Sequence, residues 1–289
     1  MTCLATRAIH LEVLDDLSTD SFLLGLRNVI AIRGQISYIC SDRGTNFIGA
    51  SRELKKAWKE MDHEKLKSKL VDMEIEWVFN PPHASHFGGV WERLIRSVRT
   101  VLNGLLKRSE CSLTSSSLRT LLYEVMTIVN SRPLSVESLE DPSGPIPLTP
   151  NHILTQRTCG VLPPPGAFDT DDASTRRRWR RVQHLADAFW QRWRSEYLST
   201  LQTRRKWRRR RPNLEVGDIV LLQDESACRA DWRLGRIQSV LPSQDGLVRR
   251  CTVSVPRTST SSSNTGNSHT VYERPVHKLV LLLKHELDQ

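Results

Sequence analysis

Nowhere in this 289-residue sequence do apolar residues run on for the roughly 18 positions that a membrane-spanning helix needs, so no membrane protein is expected. The first residues do not form a charged-then-apolar leader either: Thr2 to Leu14 alternates like a strand and carries Arg7, His10 and Glu12, and secretion is not expected. Cysteine is sparse and scattered. Its six positions (Cys3, Cys40, Cys111, Cys159, Cys228, Cys251) include no CxxC and no Cys/His pair at zinc spacing. That argues against a zinc finger and a disulfide scaffold and fits a reducing intracellular compartment. Internal repeats are absent as well.

What the sequence does have is positive charge, unevenly placed. The formal net charge is +10, yet residues 1–173 hold 19 Lys/Arg against 21 Asp/Glu, whereas residues 174–289 hold 23 against 11. Such a concentration attracts a polyanion through phosphate contacts and counterion release, and nucleic acid is the expected partner. A merely solvated basic surface is the blander alternative. The length suits about two units of roughly 100–200 residues each.

Two short strands are expected over Thr2–Thr6 and Arg7–Leu14, followed by a helix that Ser18-Thr19-Asp20 caps and Gly34 ends. Gln35–Cys40 reads as a buried strand with Ser41-Asp42-Arg43-Gly44 as the turn at its tip. A helix follows over about Phe47–Met61, with helical residues on to Leu70, and then the strand Ile75–Phe79. From Val90 to about Lys107, Trp91, Leu94, Ile95, Val98, Leu102 and Leu105 form an apolar helical face, and Glu92, Arg96, Arg99 and Asn103 form a polar stripe. A further helix is expected over Ser115–Asn130.

Residues 174–207 carry an apolar seam from Trp179 through Val182, Leu185, Ala186, Phe189, Trp193 and Tyr197 to Leu201, between the arginine runs Arg176–Arg181 and Arg204–Arg211. Beyond Pro212, strands are expected over Asp218–Gln223, Trp232–Val240, Leu247–Val255 and Val276–Leu283, closing a small barrel. Thr258–His269 is a Ser/Thr/Asn stretch without apolar pattern and reads as a disordered insertion.

Two acids stand out by context, Asp42 at a strand tip and Glu92 in a first helical turn. Singly, the first suits a turn residue and the second a helix dipole. Together they suit phosphoryl transfer by two hard cations, which needs carboxylates from separate elements converging on one point.

The stretches Thr6-Arg7-Ala8-Ile9-His10-Leu11-Glu12, Ser41-Asp42-Arg43-Gly44-Thr45-Asn46-Phe47 and Pro81-Pro82 through His86-Phe87-Gly88-Gly89-Val90-Trp91-Glu92 resemble integrases of the Pao/BEL group of LTR retrotransposons. Val216-Gly217-Asp218-Ile219-Val220, Trp232-Arg233-Leu234-Gly235-Arg236, Asp245-Gly246-Leu247-Val248-Arg249 and Arg274-Pro275-Val276-His277-Lys278-Leu279 resemble the barrel that follows those cores.

The resemblance implies an α/β fold. Residues 1–157 would be an RNase H-like catalytic core with an incomplete first strand, 158–173 a Pro-rich linker, 174–211 a long basic helix, and 212–289 a small all-β barrel with the insertion 258–269. It implies an Asp-Asp-Glu triad holding two Mg²⁺ or Mn²⁺ ions, with Asp42 matching the second acid and Glu92 the third. The first acid precedes the matched sequence, so a two-metal site is incomplete and weak or absent catalysis is expected. Glu12 does not match the missing position, and Arg43 stands where many relatives have Asn.

The implied partners are DNA, as element ends and as target, in the nucleus, with no organic cofactor and no small-molecule substrate. Candidate DNA contacts are Asn46, Arg96, Arg99, Arg176, Arg177, Arg178, Arg208, Arg209 and Arg210. Asn46 equally suits a helix cap, and Arg96 and Arg99 equally suit a solvated helix face. His83 and His86 read as loop residues, because hard cations prefer oxygen. Trp179, Trp193 and Trp207 interleave with arginines, as base-stacking residues do, but the seam spacing makes the first two packing residues. Two other readings compete with an integrase: a non-catalytic nucleic-acid-binding descendant of one, and a homo-oligomer assembled through the seam.

Overall fold

A computed structural model describes residues 1–16, 18–41, 68, 71, 74–79, 89–107, 113–136, 147–157, 164–169, 172, 177–201, 213–224, 228–256 and 269–285. The first helix, α1 (Thr19–Arg33), begins where the Ser18 side chain accepts a bond from the Ser21 N–H and ends at Gly34, which lies at φ +89° and returns its own N–H to Ile30. Its buried Leu26 packs on Ile39 and Ile75. Those two belong to β1 (Tyr38–Ser41) and to the residue before β2 (Glu76–Phe79), which pair in parallel with Ser41 opposite Phe79. The helix expected over Phe47–Met61 and its continuation to Leu70 lie outside the described residues, apart from Ser68.

The two strands expected at the start are reduced to one isolated bridge between Thr2 and Ile9, around a tight reversal with Arg7 at φ +57°. The bridge is held by the Cys3 N–H to the Ala8 carbonyl and the His10 N–H to the Met1 carbonyl (both 2.8 Å), while side chains take the backbone groups on the other edge. Asn130 accepts from the Ile9 N–H (2.8 Å) and donates to the Ile9 carbonyl (3.0 Å), and Arg132 donates to the Arg7 carbonyl (2.7 Å). One amide side chain thus stands in for a neighbouring strand.

Next come α2 (Gly89–Leu106) and α3 (Ser115–Asn130), the latter capped by Thr114, which accepts from the Ser117 N–H. Short β3 (Ser135–Val136) and β4 (Pro147–Leu148) pair antiparallel, and α4 (Pro150–Thr155) follows. Then α5 (Arg178–Leu201) lies across both α2 and α3. Its Val182, Leu185, Ala186, Phe189 and Trp193 are buried with Val98, Val101 and Leu102 of α2 and Leu121, Val125 and Ile128 of α3. Each of these side chains larger than alanine contributes about 1.5–3 kcal/mol, so packing rather than intrinsic propensity holds this arginine-rich helix. At Gly104 the two helices approach closely: a Cβ there would lie 2.4 Å from the Arg192 guanidinium.

The C-terminal strands are β5 (Ile219–Leu222), β6 (Leu234–Pro242), β7 (Val248–Pro256), β8 (His269–Pro275) and, after a 3₁₀ turn at Val276–Lys278, β9 (Leu279–Leu283). They form one antiparallel sheet in the order β8-β7-β6-β5-β9. Flat, four strand spacings would separate β8 from β9 by about 19 Å. Three residues of 3₁₀ turn rise only about 6 Å, so the sheet coils strongly. Irregular registers within β6–β7 and β5–β9 serve the same bend. The expected closed barrel is accordingly an open five-stranded sheet, with no pairing of β8 to β9 among the described residues. The strand expected over Val276–Leu283 is half turn, half strand, and β8 is an additional strand that begins at His269, the last residue of the expected insertion.

Two faces of the sheet are buried. Val220, Leu222, Ile237, Cys251, Val253, Val255 and Leu279 form its own small core, whereas Ile219, Leu221, Trp232, Leu234 and Val280 join the cluster under α5. Successive residues of β5 therefore serve two cores, and all four are buried. Trp232 lies edge-to-face on Trp190 (5.0 Å) and Trp193 (5.9 Å), and its Nε1 donates to the Ser131 hydroxyl at the end of α3 (3.2 Å). Polar contacts bind the same elements. Arg229, 4% exposed, donates to Asp187 and to the Gln183 side chain and carbonyl on α5, and to Glu124 on α3. Buried Arg194 donates to the carbonyls of Leu222 and Asp224. The apolar cluster thus runs continuously across the sequence boundaries expected at 157, 174 and 212.

Candidate nucleic-acid interface

Ser41, at the C-terminal end of β1, accepts a bond from Trp77 Nε1 of β2 (2.9 Å), which fixes the end of β1 on its neighbour. Asp42 is the next residue in sequence. Asp42, Asn46, Arg176, Arg208, Arg209, Arg210 and Trp207 lie outside the described residues, as do His83 and His86. Glu92 stands in the first turn of α2, where a carboxylate complements the helix dipole. Its side chain is 31% exposed and meets Arg96, itself 76% exposed, at 3.5 Å. That is a long surface pair, worth well under about 1 kcal/mol and easily exchanged for another cation. Among the described residues, no three or more His, Cys, Asp or Glu side chains gather as a metal site.

Arg99 is exposed one turn beyond Arg96. The same solvent side of α2 presents two cations that the sequence reading did not single out, Arg93 and Lys107, together with Asn103. Their signal was available, since an amphipathic helix whose apolar stripe is known must expose what lies opposite. Glu92 is the acid that accompanies these cations on α2.

Arg177 and Arg178 are exposed at the start of α5, whose first turn holds no acid. Their neighbours in the run are used internally. Arg181 is buried, and Arg180 makes a two-point ion pair with Asp172 (2.6 and 2.9 Å) that lowers the Asp172 pKa. Trp193 packs as expected, fully buried and stacked between Phe189 and Tyr197. Trp179 does not: it is 52% exposed and leaves the seam, because Phe168 takes its edge-to-face contact outside the core.

Residues 177–282 match the model of a family of unknown function, DUF5641. The matched span opens one residue before α5 and closes inside β9, so it takes in the helix together with the sheet rather than the sheet alone. No curated protein matches the chain. Among the described residues, no helix is long and apolar enough to cross a membrane.

Proposed function

We propose that this chain is the core and C-terminal part of an integrase-type DNA-joining protein of retrotransposon origin, in which Asp42 and Glu92 are carboxylates of a divalent-metal site and the basic faces hold DNA. The observation that carries the proposal is the parallel pairing of β1 with β2. Parallel strands release their following residues from the same end of the sheet, and ligand sites of α/β sheets gather at that end. Asp42 follows β1 directly, and the chain after β2 leads into the first turn of α2 with Glu92. An RNase H-like core belongs to the same proposal.

Both carboxylates offer the hard oxygen donors that Mg²⁺ and Mn²⁺ prefer, and the surface pair with Arg96 costs little to exchange. Bound there, the metal would activate water or a 3′ hydroxyl for attack on a phosphodiester. Arg96 and Arg99 would position the phosphates, and the surplus of Lys/Arg after residue 174 would supply sequence-independent affinity. Two matched acids hold metal weakly, so strand transfer by the polypeptide of 289 residues is weak or nil.

The test is Mn²⁺ titration of the full chain in the presence of duplex DNA, with Asp42→Asn and Glu92→Gln. Weak binding that both substitutions abolish is expected. Binding untouched by either removes the two residues from the metal site, and efficient joining with Mg²⁺ refutes the incomplete triad. The pairing of Glu92 with Arg96 favours a second reading, a nucleic-acid-binding protein without catalysis, which predicts DNA binding and no metal dependence at all.

A further inference from the structure

Trp179 is 52% exposed and is held in place by an assembly of its own. Its ring meets Phe168 edge-to-face at 5.3 Å and 79°. The Phe168 ring is in turn covered by the Arg180 guanidinium at 5.4 Å. Arg180 is fixed by its two bonds to the Asp172 carboxylate and a third to the Ala167 carbonyl (3.1 Å). Asp172 is itself buried and tied to Asp169 through two backbone N–H bonds. Gly166, at φ +129°, lets the chain turn into this segment.

The outcome is a large aromatic side chain, half of it open to solvent, that directly follows the exposed cations Arg177 and Arg178 in sequence at the start of α5. An aromatic surface next to cations, without acids in the helical turn, has the chemistry of single-strand recognition: a base stacks on the ring while guanidinium groups meet the flanking phosphates.

We infer that Trp179, braced by Phe168 and preceded by the exposed Arg177 and Arg178, is a stacking platform for an unpaired nucleobase. This rests on the nucleic-acid reading above and deepens it, because a basic surface alone binds duplex and single strand through phosphate, whereas the platform recognises an unstacked base. The interface therefore prefers frayed or single-stranded ends over continuous duplex.

The experiment measures binding of the full chain to a labelled oligothymidine and to a blunt duplex by fluorescence anisotropy, for the parent, Trp179→Ala, Trp179→Leu and Trp179→Phe. Loss of one stacked base corresponds to about 5- to 150-fold weaker oligothymidine binding for Trp179→Ala and Trp179→Leu, with duplex binding within about twofold of the parent and Trp179→Phe close to it. Trp179→Leu keeps an apolar neighbour for Phe168, so a loss shared by Ala and Leu is not a packing defect. Unchanged oligothymidine affinity overturns the platform, and so does an equal loss on both ligands. Parent protein that binds duplex but not oligothymidine overturns the platform alone. Parent protein that binds neither overturns it together with the nucleic-acid reading.

Discussion

Replacing Arg229 tests whether the sheet and the helices are one folding unit. Its side chain donates to Glu124 of α3 (3.2 Å), to Asp187 of α5 (2.8 Å) and to the Gln183 side chain (2.7 Å) and carbonyl (2.9 Å). Arg229→Met fills most of the volume but leaves four acceptors without their donor. Breaking a buried pair costs about 3–5 kcal/mol, since one charge remains uncompensated. Here the carboxylates retain about a quarter to a third of their exposure and recover some hydration, which moves the expectation to the low end. The buried Gln183 side-chain oxygen recovers nothing, whereas its carbonyl, inside α5, keeps its helical donor. We expect a loss of about 3 kcal/mol, seen as a fall in Tm of roughly 6–12 °C. Chemical denaturation followed by tryptophan fluorescence, which senses Trp190, Trp193 and Trp232 between helix and sheet, should split from one transition into two. The exposed pair Arg249–Asp245, in which Arg249 holds the Asp245 carboxyl down at about 2, is the control, and Arg249→Ala should leave the transition where it was. A loss below about 1 kcal/mol for Arg229→Met, no larger than a surface substitution, would refute the role given to this cluster.

Three further outcomes can be checked on the same footing. Asn130→Ala strips the Ile9 N–H of its partner and leaves the Ile9 carbonyl only the Arg33 guanidinium (3.1 Å), which should cost about 1–3 kcal/mol, with residues 1–12 becoming the first site of limited proteolysis; protection equal to the parent would be inconsistent with it. Gly235→Ala places a Cβ 2.4 Å from Val253 and 3.0 Å from a Ser254 backbone oxygen, costing about 1–3 kcal/mol, whereas Gly104→Ala meets only the movable end of Arg192 and should be near neutral by denaturant titration. Burial lowers the pKa of His10 against the opposing effect of Glu12, with Arg33 and the terminal amine also lowering it. The unfolded chain then takes up the proton first, so the contribution is complete above about pH 6.5 and is lost as pH falls toward the lowered value. His10→Gln should flatten the decline in Tm between neutral and mildly acidic pH, and an identical decline would refute this.

Local signals made several elements legible. Ser18 and Gly34 mark the ends of α1 by caps that need no distant partner, and the 3.6-residue period of α2, α3 and α5 is written in their apolar residues. Period alone does not reveal where a seam leaves the core. Trp179 and Leu201 continue the pattern of α5 yet are exposed at its two ends, one drawn off by Phe168. The opening strands are reduced to the single bridge of Thr2 with Ile9, and the other edge of Ile9 meets not a strand but an amide 121 residues away, which local alternation cannot foretell. Strand β8 was hidden by its polar Thr270, Glu273 and Arg274 and by the Ser/Thr-rich stretch before it, and its ladder to β7 decides its conformation. Of the candidate site, Glu92, Arg96, Arg99, Arg177 and Arg178 are exposed or half-exposed. The Arg229 cluster left no local trace, because its partners lie 42 to 105 residues away.

The matched span and the packing together say where the chain can be cut. A boundary at residue 212 leaves the sheet with its own core around Val220, Ile237, Cys251 and Val253 but uncovers Ile219, Leu221, Trp232, Leu234 and Val280. Five large apolar side chains on one face exceed the few hundred Å² of contiguous apolar surface, about 400 Å², that a soluble monomer tolerates. A fragment of residues 213–285 should therefore associate or precipitate. Residues 177–285 keep α5 over that face, retain Trp190, Trp193 and Tyr197 around Trp232, and preserve the bonds of Arg194 to Leu222 and Asp224 and of Arg229 to Gln183 and Asp187. What they lose is the cover that α2 and α3 give to Val182, Leu185 and Ala186. The longer fragment should give a cooperative thermal transition below that of the full chain, and the shorter none. Cooperative folding of residues 213–285 at the same Tm as residues 177–285 would mean that α5 is only a neighbour of the sheet, and the matched span would then owe its extent to something other than the core that the helix and sheet share.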